Sequence, residues 1–208
     1  TSRATIEIDD ELLLTEGRPL GLRWSDVSGS QANVAVATAE VLRERGPVIV
    51  LAGTVPNAWR MARRLAGKPI PEDKADDSDL TFVRDFVGSE YGKDFALTGL
   101  LEKGIGLHHS GLSEETKVLT EWLVERGKID TLVATTTIAQ GVNFPVTGVV
   151  MAAHQYPYGA DMPPEDFWNL AGRAGRADQA GTGIIALAAC TEAKSAVLRE
   201  YVQRQVKE

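Results

Sequence analysis

Five short apolar runs punctuate the chain, at residues 48–52, 105–108, 131–134, 149–153 and 184–188. Each is continuous rather than alternating, which fits strands buried on both faces and so a parallel sheet covered by helices. Amphipathic stretches separate them. Residues 31–45 read as a helix stopped by Gly46-Pro47, a C-terminal signal. Pro56 opens a second helix that runs to about Ala66, with Thr54 or Val55 at its cap. Ser113 is an N-cap residue followed by Glu114 and Glu115, acids that the helix dipole favours in the first turn. Val118, Leu119, Trp122 and Leu123 form the expected buried stripe of that helix, which Gly127 ends. Residues 80–101 are expected to be helical, and residues 67–80, with Pro69, Pro71 and several acids, to be an exposed loop. The order of strands and helices predicts an α/β domain, a parallel sheet with helices on both faces.

Residues 1–30 fit this alternation less well. They hold a strand-like Thr5-Ile6-Glu7-Ile8 and a turn-rich stretch, read as an incoming linker plus an edge element ahead of a domain over 31–208. The acids at Asp9, Asp10 and Glu11 read as a solvated turn. At 208 residues the whole fits one compact domain.

Composition changes the picture in two places. The net charge of −7 counts against holding nucleic acid by bulk electrostatics, but not against a local grip through amides, hydroxyls and a few basic side chains. Cys190 is the only cysteine, which excludes an intrachain disulfide and favours a reducing, intracellular setting. No apolar run approaches the roughly 20 residues of a membrane span, and residues 1–5 lack the apolar segment of a secretion signal. The chain does not begin with Met and is expected to be a piece of something longer.

In open parallel sheets ligands collect at the carboxyl ends of the strands, and three stretches are expected there. Gly53-Thr54 follows the first run. The glycine would let a phosphate approach the backbone and the threonine hydroxyl could donate to it; a tight turn with Thr54 capping the next helix is the alternative, and by itself the stretch favours that one. The second stretch, residues 134–145, holds Thr135, Thr136 and Thr137, then Gly141 and Asn143. The hydroxyls suit a phosphate chain, Gly141 a backbone conformation closed to other residues, and Asn143 a sugar hydroxyl; a polar loop with side-chain turns is the alternative.

The third stretch, residues 169–176, is the most pointed. If the helix announced by Pro163-Pro164 runs on, Asn169, Arg173 and Arg176 share one face. Gly172 and Gly175 would lie beside them on a strip able to press against another backbone. Two guanidiniums one turn apart suit bidentate capture of a polyphosphate. Two glycines inside a helix are unfavourable by roughly 1 kcal/mol each against alanine, which a merely solvated face would not require. His109 reads either as a polar loop contact or as a satisfied structural histidine. Adjacent His108 and His109 point apart with no third ligand at metal spacing, so no metal site is expected. No G-x-x-x-x-G-K-[ST] occurs, so the chain carries no P-loop of its own.

Taken in order, these stretches resemble the C-terminal half of a superfamily 2 helicase of the DExH type, the branch of superkiller-like RNA helicases and DNA-repair helicases. Residues 48–54 resemble motif IV, 106–112 the H-H-x-G-L stretch, 134–145 motif V, and 169–176 motif VI, usually Q-x-x-G-R-A-G-R. Asn169 departs from the family's leading Gln by one methylene. The resemblance implies a second RecA-like motor domain. It makes Arg173 and Arg176 arginine fingers towards ATP, held with Mg2+ mainly by a first RecA-like domain outside this chain, and puts Gly141, Asn143 and Asn169 near the nucleotide. Gly53, Thr54, His109, Thr135 and Thr136 would contact the backbone of single-stranded or partly duplex DNA or RNA. The whole would be an ATP-dependent helicase whose isolated second half is inactive. The rival reading is a non-motor nucleic-acid-binding or scaffolding module that retains the fold.

Overall fold

The computed structural model describes residues 7–8, 11–13, 19–23, 29–67, 77–140, 144–174 and 183–207, with the backbone alone at 7–23, 140 and 205–207. A small antiparallel sheet comes first, β1 (Glu7–Ile8), β2 (Glu11–Leu13) and β3 (Pro19–Arg23), with Ile8 opposite Glu11. Only a single strand near residues 5–8 was expected here, because strands of two and three residues are too short to show periodicity.

From residue 31 the chain alternates as expected. In order come α1 (Gln31–Leu42) with a 3-10 turn (Arg43–Arg45), β4 (Val48–Ala52), α2 (Val55–Ala66), α3 (Ser78–Tyr91) and α4 (Ala96–Leu101). Next are β5 (Ile105–His108), α5 (Glu114–Glu125), β6 (Thr131–Thr135), a 3-10 segment (Thr136–Gln140) and β7 (Gly148–Met151). The chain closes with α6 (Pro164–Arg173), β8 (Ile184–Leu187) and α7 (Glu192–Lys207).

The five later strands form one parallel sheet in the order β5-β6-β4-β7-β8, flanked by helices, a RecA-like α/β arrangement. Every residue of β4, at its centre, is buried. The connection from β4 to β5 runs towards one edge and the later connections run back, so right-handed crossovers put α2 on one face and α5 and α6 on the other. Helix α1, rich in buried Ala and Val, lies against β4, β7 and α2. No helix among the described residues is long and apolar enough to cross a membrane.

Capping follows the side chains that can supply it. Ser30 Oγ accepts from Asn33 N at 3.2 Å, Thr54 caps α2, Asp77 caps α3 and Ser113 caps α5, each filling a backbone donor that the first turn leaves open. Residues 80–101 are two helices rather than one: Gly92, at φ +99°, breaks the path in a conformation other residues avoid. The buried stripe of α5 is also corrected. Thr116, Thr120, Leu123 and Val124 face inward, Leu119 and Trp122 are partly covered, and Val118 is 60% exposed. Thr120 can be buried because its hydroxyl donates to the Thr116 carbonyl at 2.7 Å.

Candidate functional site

Parallel pairing brings the first two stretches together. Ala52 is in register with Thr135, so Gly53-Thr54 and Thr136-Thr137 leave neighbouring strands side by side at the carboxyl edge. There the chain departs from β4 towards β5 but from β6 towards β7, the reversal at which such sheets open a crevice. Thr54 is exposed; its oxygen accepts from Asn57 N at 3.4 Å, which leaves the hydroxyl proton free to donate outward. Gly53 lies under the next loop, where a Cβ would sit 3.3 Å from the Ala153 Cβ.

Behind this edge a groove of about 490 Å³ is lined by Gly53, His154, Gln155, Tyr156 and Lys194, among others. Gln31, the first residue of α1, ties its rim together. Its amide donates to the carbonyls of Ala152 at 2.7 Å and Ala188 at 3.0 Å, just beyond β7 and β8, and accepts from Lys194 Nζ at 3.2 Å. Lone polar residues at helix starts carry no sequence signal for such a bridge.

The threonine stretch is more inward than a strand-facing loop requires. Thr135 and Thr136 are fully buried. Thr135 and Thr137 hydroxyls pair at 2.9 Å, and Thr136 Oγ1 donates to the Gln155 carbonyl at 2.7 Å. Thr137, half-buried, is the member nearest to solvent. The hydroxyls of Thr135 and Thr136 are thus engaged internally, with partners that only the folded loops bring near.

His109 is likewise turned inward. It is 4% exposed, its Nδ1 accepts from Gly111 N at 3.0 Å, and its ring tilts against Trp59 with centroids 6.1 Å apart. Burial, then the nearby charges of His108 and Lys117, hold its imidazole below the ordinary value and keep it neutral. His108 meets Glu121 at 2.8 Å.

The third stretch does not end at the carboxyl edge. Helix α6 follows β7, with Glu165 and Asp166 in its first turn, and stops at Arg173 because Ala174 is extended (φ −64°, ψ 134°). Asn169 and Arg173 share one face of α6, and Arg176 lies outside the described residues. Ala174 forms a parallel bridge with Val146, and Val146 N donates to the Arg173 carbonyl at 3.1 Å. Val146 precedes β7, so Arg173 lies at the amino end of that strand, some 20 Å from Thr54 at about 3.3 Å per strand residue.

Packing fixes this corner. Phe167 and Leu170 are buried, α6 lies against the 3-10 segment after β6, and Tyr156 donates its hydroxyl to the buried Asp166 carboxylate. Phe144, fully buried, anchors the far end of the threonine loop. Gly183 permits a close backbone approach: a Cβ there would sit 2.5 Å from the Ala174 carbonyl oxygen. On the outer side Trp168 (47% exposed), Asn169 and Gly172 face outward, and a Cβ on Gly172 would meet nothing within 4 Å. The expected close backbone neighbour of Gly172 is therefore absent among the described residues. Arg173 is half-buried, and its guanidinium has no hydrogen-bond or carboxylate partner among the described residues. Gly141, Asn143, Gly175 and Arg176 lie outside the described residues.

With this geometry in view, the comparisons with known proteins are specific. The helicase conserved C-terminal domain family matches residues 73–178, about half of the chain. The chain is 31% identical to the ATP-dependent DNA helicase Hel308 of Caldivirga maquilingensis over 85% of its own length and 25% of that protein's. It is 32% identical to the Hachiman protein HamB of Bacillus cereus over 68% of its length and 13% of that protein's. It is 39% identical to superkiller complex protein 2 of Homo sapiens over 44% of its length and 8% of that protein's. The chain thus spans a quarter or less of each of these relatives.

Proposed function

The chain belongs to the helicase conserved C-terminal domain family, as the C-terminal domain of a superfamily 2 helicase, and from that membership we propose that it is the second motor domain of an ATP-dependent DExH-type helicase or translocase. The observation that carries the proposal is Arg173. A half-buried guanidinium with no carboxylate partner among the described residues, on a helix whose neighbouring residues face outward, suits an anion that another domain brings.

When bound, ATP with Mg2+ supplies the transferable γ-phosphoryl group and the metal charge that neutralises it. Arg173 donates its planar pair of N–H groups to phosphate oxygens as negative charge shifts during transfer, a contribution worth about 10³–10⁵ in rate in phosphoryl-transfer enzymes. Arg176 acts beside it, Asn169 donates from the same helix, and Gly141 and Asn143 approach the ribose. Gly172, open outward, lets the first domain's backbone come close. At the carboxyl edge the Thr54 hydroxyl, the Gly53 backbone and Thr137 grip phosphates of a single strand, DNA or RNA, without reading bases. Thr135, Thr136 and His109 hold that edge in shape. Closure of the two domains on ATP and their reopening after hydrolysis step the strand along.

Isolated residues 1–208 should show negligible ATPase activity with or without single-stranded oligonucleotide, while the longer protein carrying them turns over. Robust hydrolysis by the pure fragment contradicts the two-domain reading. A longer protein with no P-loop ahead of Thr1 would favour the non-motor module instead.

A further inference from the structure

We infer that the groove along α2 formed by Trp59, Arg60, Arg63 and Arg64 is a second phosphate-binding surface, which carries the same single nucleic-acid strand away from the carboxyl edge of the sheet. The inference rests on the strand-gripping role proposed above and extends it to a face that no strand-end motif includes.

The chain holds 29 acidic and 22 basic residues, yet the 12 residues of α2 include three arginines and no acid. Pro56, Arg60, Arg63 and Arg64 fall on one side of the helix and, with Trp59, line a groove of about 580 Å³. All three arginines are exposed. Arg64 donates to two neutral partners, Ser30 Oγ at 3.1 Å and Asn33 Oδ1. Arg60 and Arg63 have no carboxylate partner among the described residues.

The Arg63 guanidinium lies 5.5 Å over the Trp59 ring, which leaves its edge donors free. Trp59 is itself held by Phe95, edge-on with centroids at 5.6 Å, and by His109. The groove therefore has an aromatic floor and a cationic rim with no carboxylate partner among the described residues. Arginines in a last turn also complement the helix dipole, by about 0.3–1 kcal/mol each, but that accounts neither for Arg60 in mid-helix nor for the indole beneath Arg63.

Position selects the occupant. The N-cap of this helix is Thr54, a residue of the carboxyl edge. At about 1.5 Å per residue, Arg60 to Arg64 lie roughly 9–15 Å along the helix from it. A strand leaving the edge past Thr54 meets a row of guanidiniums with spacing suited to successive phosphates and a stacked cation–aromatic pair, the elements of sequence-tolerant single-strand binding.

The test is a length series of single-stranded thymidine and uridine oligonucleotides, titrated at several salt concentrations into the longer protein that carries this chain. Arg60→Gln/Arg63→Gln is compared with wild type; Arg64 is kept because it braces Ser30 and Asn33. Short oligonucleotides should bind equally to both proteins. Long ones should bind the variant more weakly, with a plateau at shorter length and a slope of log K against log salt shallower by roughly 1.4, about 0.7 for each phosphate released. Arg60→Lys/Arg63→Lys should keep most of the wild-type slope, which separates lost charge from a disturbed fold. Equal affinity and slope at every length would overturn the groove while leaving the edge grip standing. A wild type that binds no strand of any length would overturn both.

Discussion

At the carboxyl edge of the sheet, the threonines that follow β6 use their hydroxyls on each other and on the Gln155 carbonyl. Near the opposite end of the same loop, Arg173 is half-buried with no hydrogen-bond or carboxylate partner among the described residues. The threonines belong to the segment that joins β6 to β7, and Arg173, at the end of α6, meets Val146 at the far end of that segment; both regions are backed by the core, through Thr135 on one side and Phe144 and Leu170 on the other. The difference is one of satisfaction. Polar groups paired internally make a surface whose shape is fixed before anything binds. A guanidinium left open is the half of an ion pair whose other half must come from outside.

The largest effect that could break this contrast is at the corner. In the longer protein, Arg173→Ala should lower ATP hydrolysis by about 10³–10⁵ and leave the affinity for single strands within a few-fold of wild type; steady-state turnover and oligonucleotide titration check the two halves. Next comes the seat of that corner. Gly183→Val pushes a side chain into the Ala174 backbone, so thermal unfolding should show a loss of about 1–3 kcal/mol. Turnover should fall more than strand affinity does.

The smallest effect is a pH dependence at the edge. His109 and His154 both follow strand carboxyl ends, and burial is the first cause holding each imidazole below 6.5. For His109 the charges of His108 and Lys117 add to it; for His154 Arg204 adds to it and Asp161 opposes it. The unfolded chain takes up protons near 6.5 while the folded chain does not, so stability is complete above that pH and falls as pH drops through it towards the lower folded values. The melting temperature should decline on acidification below about pH 6.5, and His109→Gln should flatten part of that decline.

The strands of the parallel sheet and most helix starts were readable because each depends on local pattern. Residues 48–52 are unbroken apolar, and Thr54 and Ser113 stand one residue before their helices. What escaped depends on neighbours distant in sequence. Thr136 reads as a polar loop residue until the Gln155 carbonyl, 19 residues on, accepts its proton. Thr116 and Thr120 lie outside the expected apolar stripe, yet they are buried and Val118 is exposed, since a threonine that bonds its own helix carries little polar penalty. The end of α6 at Arg173 is set by pairing of Ala174 with Val146, a contact that periodicity along 169–176 cannot register. The arginines of α2 carry no motif, and only their shared groove with Trp59 makes them a site.

The most direct test of the division between edge and corner is a double-mutant cycle in the longer protein, with Arg173→Ala on one arm and Thr54→Ala/Thr137→Ala on the other, reading turnover at saturating strand and affinity for strand. Sites some 20 Å apart along the sheet should act independently, to within about 0.5 kcal/mol. The first arm should change turnover alone and the second affinity alone. A loss of strand affinity from Arg173→Ala as large as that from the threonine pair, or turnover unchanged by it, would contradict the account.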